Sequence, residues 1–323
     1  MRNSTAVAIA LAVAAMATFA TVNAATKPAP PPAKPPVEEQ PVVAPAPTTT
    51  LERIKAAGKI VLAYRADATA MSSRDGSGQP TGFSVTLCNR VADALKRDLA
   101  LPTLSVEWVA AAPGFADLES HHVDLICDAD EVTLTNRAKA SFSIPIFPGG
   151  VSALVRADAA ASLQQALEQR PQPYKPLWRG TPPPTLENRT YSALGGSSTM
   201  DALIAHIANM RLIANVEPVA NYEAGVAAVA NGRTSVLFGD RAQLLQAALS
   251  SPAAKNLRVL SRRFTFAAIG LALARNDDDF RLAVDRGLTN IFADPQFGAL
   301  YGATFGTPDA DTVAFFRSVA VAK

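Results

Sequence analysis

Cysteine, histidine and any surplus of charge are scarce in this chain, and each shortage removes a class of function. Two cysteines among 323 residues are too few for a zinc site or a disulfide framework, although they can still make one bridge. There are three histidines. His121 and His122 are adjacent, so on a helix they would point about 100° apart and could not share a metal. They read as surface residues, and His206 reads as a partly buried structural residue beside an apolar helical stripe. Thirty Lys and Arg against 28 Asp and Glu leave a formal net charge of +2. That balance lacks the clustered basic excess a nucleic-acid binder needs. No GxSxG, HExxH, CxxC, Walker loop or GxGxxG occurs. Beyond the N-terminus no stretch approaches 18 consecutive apolar residues.

What is present is apolar and orderly. The composition is 49% hydrophobic and 18% charged, enough to build sizeable cores. The length suits about two domains. Residues 1–24 read as an export signal: Arg2 is the positive start, Ala6–Phe19 an uncharged small-apolar run, and Val22-Asn23-Ala24 a small-x-small cleavage site. No cysteine stands near that site, so no lipid anchor is expected, and the mature chain is expected outside the cytoplasm, in the periplasm. Pro28–Pro47 holds nine of the 24 prolines and reads as an extended linker over residues 25–50. A second proline-rich stretch, Pro171–Pro184, interrupts the middle of the chain.

From Leu51 onward short apolar strands alternate with amphipathic helices. Lys59–Tyr64 reads as a buried strand, and Thr86–Leu99 as a helix with Leu87, Val91, Leu95 and Leu99 on one stripe. Strands follow near 104–108, 123–127, 151–155, 189–194 and 235–238. Helices are expected over 162–169, 199–213, after Asp240, and over 277–292, the last opening on three aspartates that suit the positive end of a helix dipole. This alternation predicts an α/β fold with largely parallel sheets.

Three clusters sit at predicted strand ends, where open α/β sheets place ligands. Gly195-Gly196-Ser197-Ser198-Thr199 joins a strand to a helix N-terminus; it reads either as a carboxylate-holding turn or as ordinary capping. Asp240 follows its strand directly and reads either as an ammonium partner or as a cap. Asp128, Asp130 and Glu131 crowd the end of a third strand. They lack the spaced ligands and glycine of a calcium loop. They read as partners of a cationic ligand or as solvated loop charge, and neither metal nor cofactor is expected.

Seven segments, in order, resemble one family: Leu51–Arg65 (LERIKAAGKIVLAYR), Gly82–Lys96 (GFSVTLCNRVADALK), Val123–Asp128 (VDLICD), Phe142–Phe147 (FSIPIF), Gly195–Thr199 (GGSST), Phe238–Leu244 (FGDRAQL) and Asn290–Gly306 (NIFADPQFGALYGATFG). The chain resembles the periplasmic solute-binding proteins of polar amino-acid ABC importers, of the glutamine- and glutamate-binding type. The resemblance implies a type II periplasmic-binding-protein fold, two α/β lobes joined by two β-strand crossovers near 147–151 and 264–269. Lobe one would span 51–148 plus 265–323, and lobe two 149–264. It implies a monomer that closes on a small polar solute, an amino acid or related amine, and presents it to an inner-membrane ABC permease.

The departures from the family pattern bear on the ligand. The arginine that pairs with the ligand carboxylate falls at Asn136, with Arg137 one place late. The threonine five residues earlier is Glu131, the glycine after the strand is Asp128, and the aspartate of the GF-x-V-D pattern is Thr86. The aromatic residue that packs on the ligand is missing from Ala68–Ser73. Lobe two retains Ser197 and Ser198 at hydroxyl positions and Asp240 at the amine-binding acid. Removing one partner of a buried charge pair costs about 3–5 kcal/mol. At about 1.4 kcal/mol per decade, that is roughly a hundred- to several-thousandfold in affinity. A cleft holding Glu131 and Asp240 is therefore expected to favour basic amino acids or amines over glutamate, unless Arg137 reaches the gap. Cys88 and Cys127, in the same implied lobe and in an exported protein, are expected to be joined. A sensor with a decayed pocket, and a dehydratase-like enzyme using Glu131 as acid, are the alternatives to a binding protein without catalysis.

Overall fold

The computed structural model describes residues 49–66, 70–168 and 184–322. The expected export signal, the first proline-rich linker and most of the second proline-rich stretch lie outside the described residues. Helix α1 (Thr50–Ala57) opens with a reciprocal cap between Thr49 and Glu52 and stops at Gly58, whose left-handed φ of 63° ends it. Strand β1 (Lys59–Tyr64) follows, as its apolar run predicts. A small hairpin of β2 (Ser73–Arg74) and β3 (Pro80–Thr81) leads to α2 (Phe83–Asp98). This helix starts a turn earlier than predicted, because Phe83 extends the stripe of Leu87 and Val91. Gly82 makes the start possible: at φ 121° it passes so close to the Met71 backbone that a Cβ would collide.

Next come β4 (Ser105–Ala110), α3 (Ala116–Glu119), β5 (Leu125–Ile126), α4 (Leu134–Arg137) and β6 (Ser141–Phe142). Strand β7 (Phe147–Gly149) leaves this region, and β8 (Val151–Arg156) enters a second sheet. That half continues through α5 (Ala161–Glu168), β9 (Thr190–Leu194), α6 (Ser198–Met210), β10 (Asn215–Val219), α7 (Tyr222–Ala230), β11 (Val236–Asp240), α8 (Arg241–Ser250) and β12 (Leu257–Val259). Strand β13 (Ala267–Ile269) returns, followed by β14 (Ala272–Leu273), α9 (Asp278–Ala293), α10 (Phe297–Phe305) and α11 (Ala310–Val319).

Two open five-stranded sheets result, ordered β4-β1-β5-β14-β6 and β10-β9-β11-β8-β12. In each, three neighbouring strands run parallel: β1 pairs with β4 and β5, and β9 with β10 and β11. One strand in each sheet runs against the others: β14 is antiparallel to β5 and β6, and β8 to β11 and β12. Strands β7 and β13 pair antiparallel with Phe147 opposite Ile269, so both crossovers run side by side. This is the two-lobed binding-protein fold, with mixed rather than purely parallel sheets.

The larger core packs α2 on α9 through Val91, Phe280, Val284 and Leu288, and gathers Phe83, Phe147, Tyr301 and Phe305 into one ring cluster. Cys88 on α2 and Cys127 after β5 are fully buried and joined by a disulfide, with Cα atoms 6.2 Å apart. The second sheet has its own core around Val155, Tyr191, Ala193 and Val236. Along α6 the predicted stripe holds, with Met200 buried and Leu203, Ile207 and Met210 half-buried. His206 corrects the expectation of partial burial: it lies on the exposed side, because α6 covers its sheet with a narrow face only. His121 and His122 are exposed as expected. No helix among the described residues is long and apolar enough to cross a membrane.

Candidate functional site

Parallel strands that end side by side bring their following loops together. In the first sheet β1 ends at Tyr64 and β5 at Ile126, so Arg65 and the Asp128–Glu131 segment share one edge. In the second sheet β9 and β11 pair with Ala193 opposite Phe238, so the turn at Ser197 and the side chain of Asp240 share another. The crossovers connect the two edges. Asp130 accepts from the Gly270 N–H through its carbonyl, Glu131 bridges Ile269, and the Val132 N–H donates to the Ala268 carbonyl. The segment carrying Glu131 therefore lies along the returning crossover.

Glu131 and Asp240 are brought within electrostatic reach of each other. Burial pushes the Asp240 carboxyl above its ordinary range and the Glu131 charge adds to the rise, against hydrogen bonds from Gln243 and Ala242. Of the two sequence readings of Asp240, the capping one is seen directly. It caps α8, accepting the Gln243 N–H at 3.1 Å, and it is an acid at the end of β11. Its own N–H donates to Tyr222 Oη at 3.1 Å. The Tyr222 ring lies so close over Gly239 that a Cβ there would collide with it. Burial raises the Tyr222 pKa, and the charge of Asp240 raises it further.

Asn136 is near Glu131 but is already engaged. Its Nδ2 donates to the Glu131 carbonyl at 2.8 Å, closing the turn whose start is capped by Thr133. Arg137 is not brought in with it. It is exposed at the last turn of α4 and makes no ion pair or side-chain hydrogen bond among the described residues. Ser197 is the N-cap of α6: its hydroxyl donates to the Leu194 carbonyl at 2.7 Å and accepts from the Met200 N–H. Ser198 is exposed, and its hydroxyl has no partner among the described residues. Thus the Glu131 charge acts on Asp240, Asn136 holds the Glu131 carbonyl, Ser198 stands at the end of β9, and Ser197 holds the turn.

The acidic cluster resolves into something the sequence reading did not contain. Asp128 and Asp130 are buried, not solvated. Arg65 Nη1 lies 2.9 Å from Asp128 Oδ2 and 3.0 Å from Asp130 Oδ1, while Nη2 donates to the Gly114 carbonyl at 2.9 Å. Burial works against the guanidinium charge, but the two carboxylates outweigh it and hold the Arg65 pKa above its ordinary value. The signal was available: Arg65 follows its strand as directly as Asp240 follows its own. Tyr222 was also missed, and the only sequence hint was the glycine before Asp240. Among the described residues no group of three or more His, Cys, Asp or Glu could hold a metal.

Residues 60–307 match the model of the bacterial extracellular solute-binding proteins, family 3, and the chain belongs to that family. It is 24% identical over 272 residues to the L-glutamate/L-aspartate-binding protein of Pseudomonas aeruginosa, covering 83% of each chain. A polar amino acid ABC uptake transporter substrate binding protein from Streptococcus thermophilus superposes with a TM-score of 0.64 at 18% identity, over 82% of this chain and 93% of the other. An ancestral cyclohexadienyl dehydratase superposes with a TM-score of 0.55 at 23% identity, over 80% of this chain and 98% of that one. The fold therefore occurs in binding proteins and in an enzyme alike.

Proposed function

We propose that this member of family 3 captures a small solute bearing a positive charge, a basic amino acid or an amine, between two lobes and delivers it to an ABC permease. The observation that carries the reading is the placement of Glu131 beside Ile269 on the returning crossover and of Asp240 at the end of β11, near enough for the Glu131 charge to raise the Asp240 pKa. Two neighbouring carboxylates repel each other and an anionic ligand alike, and a cation binding beside them relieves both. Lobe one comprises residues 51–148 and 265–323, and lobe two 149–264, a division supported by sheet membership and by the paired crossovers β7 and β13. The cleft is lined by Glu131, Asn136, Ser198 and Asp240, with Ser197 holding one turn in place and Arg137 at the rim.

The protein acts by binding rather than by catalysis. The naming of its Pseudomonas aeruginosa relative as an L-glutamate/L-aspartate-binding protein supports that reading. It works as a monomer in the periplasm, exported by residues 1–24 and without a cofactor, as its membership of an extracellular solute-binding family supports. Calorimetry of the mature protein with L-arginine, putrescine, L-glutamine and L-glutamate tests the reading. Arginine or putrescine should bind at least about tenfold tighter than glutamate. Tight glutamate binding that vanishes in Arg137→Ala would overturn it.

A further inference from the structure

The site reading leaves one charged group unused. Arg65 stands at the carboxyl end of β1, on the edge that carries Glu131, and a guanidinium at such a place is the natural fork for a ligand carboxylate. Here the fork is occupied from within. One Nη reaches both Asp128 and Asp130 at 2.9 and 3.0 Å, and the other is held by the Gly114 carbonyl. The two acids are fixed in turn: Ser84 Oγ donates to the Asp128 carbonyl at 2.9 Å, and the Gly270 N–H donates to the Asp130 carbonyl. The Arg65 side chain is only 18% exposed, against 5% and 9% for its partners. This is a rigid group with a net negative charge, seated one residue from Glu131.

We propose that Asp128 and Asp130 are specificity-determining residues that act through Arg65. They withhold its guanidinium from the cleft, so that the wall of lobe one repels dicarboxylic amino acids. The proposal rests on the inter-lobe cleft being the solute site, but not on the identity of the preferred solute. An anion approaching Arg65 must compete with two buried carboxylates already at hydrogen-bond distance. It also meets Glu131 and Asp240 beyond them.

The test is a gain of function. In Asp128→Ser/Asp130→Ser the guanidinium is released and the local charge reverses. L-glutamate affinity, measured by calorimetry against L-glutamine, should rise at least tenfold relative to wild type and fall back when Arg65→Met is added. Where the serine pair does not fold, as judged by circular dichroism, Asp128→Asn/Asp130→Asn keeps the hydrogen-bonding shape and serves in its place. Wild type that prefers glutamate to glutamine overturns the proposal, as does a folded neutralised variant with an unchanged ratio. If wild type binds neither arginine nor putrescine but the neutralised variant gains glutamate, the charge filter stands and the cationic reading of the solute falls.

Discussion

Arg241 Nη2 lies 2.9 Å from Asp309 Oδ2, tying the first turn of α8 to the cap of α11. The guanidinium is almost fully buried, and its Nη1 donates to the Leu260 carbonyl at 2.6 Å. Ser261 Oγ donates to the same Asp309 oxygen at 3.0 Å. The Arg241 N–H also donates to the Gly150 carbonyl at 3.0 Å, so this knot sits at the end of the outgoing crossover β7 and ties α8 to the C-terminal helices there. Removing one partner of a buried pair strands the other charge, so Asp309→Ala should lower unfolding free energy by about 3–5 kcal/mol, measured by urea titration. Burial alone would lift the Asp309 pKa, but Thr312, Arg241 and Ser261 bring it below its ordinary value. Its contribution is therefore complete above about pH 4 and is lost as pH falls through the lower folded-state value. The gap between wild type and Asp309→Ala should narrow in acid.

The disulfide closes a separation of 39 residues between α2 and the end of β5. Chain-entropy arguments give such a loop about 4 kcal/mol. Cys88→Ala/Cys127→Ala should lose roughly that amount in urea, and dithiothreitol should destabilise the wild type but not the variant.

Gly239 and Tyr222 should behave as a pair. Gly239→Ala places a methyl against the Tyr222 ring and should cost about 1–3 kcal/mol by overpacking. Combining it with Tyr222→Ala should recover part of that loss, since the obstructing ring is gone. A double-mutant cycle in which the two changes simply add would contradict the close approach.

Asp240→Asn separates capping from charge. Asparagine caps about as well as aspartate, so α8 should keep its start. The carboxyl pKa is raised by burial and then by Glu131, so the folded state holds the proton more tightly than the unfolded chain. Its contribution to stability is then full below about pH 4 and declines as pH rises through the folded-state value. The variant should therefore be as stable as wild type or more so at pH 7, while arginine or putrescine binding falls about a hundredfold. Loss of stability without loss of binding would show that capping is the main task of Asp240.

Local pattern went far in this chain. The run of β1, the stripes of α2 and α6, and the acids that open α9 are statements about neighbours in sequence, and periodicity reports neighbours directly. The strand-end positions of Ser197 and Asp240 were legible for the same reason. What could not be read is which strand end meets which. Asn136 was identified as a ligand position, yet its amide closes the turn at Glu131, a contact set by how the 131–136 loop folds back.

The acidic cluster shows the limit most clearly. Sequence alone determined that Asp128, Asp130 and Glu131 stand together after a strand, and that Arg65 ends another. Only the parallel pairing of β1 with β5 decided that Arg65 would reach the first two acids and leave the third beside the crossover. Charges 63 and 65 residues apart along the chain become partners at 2.9 and 3.0 Å. Composition fixes how many charges there are, but electrostatic energy depends on distance and burial, which belong to the tertiary structure.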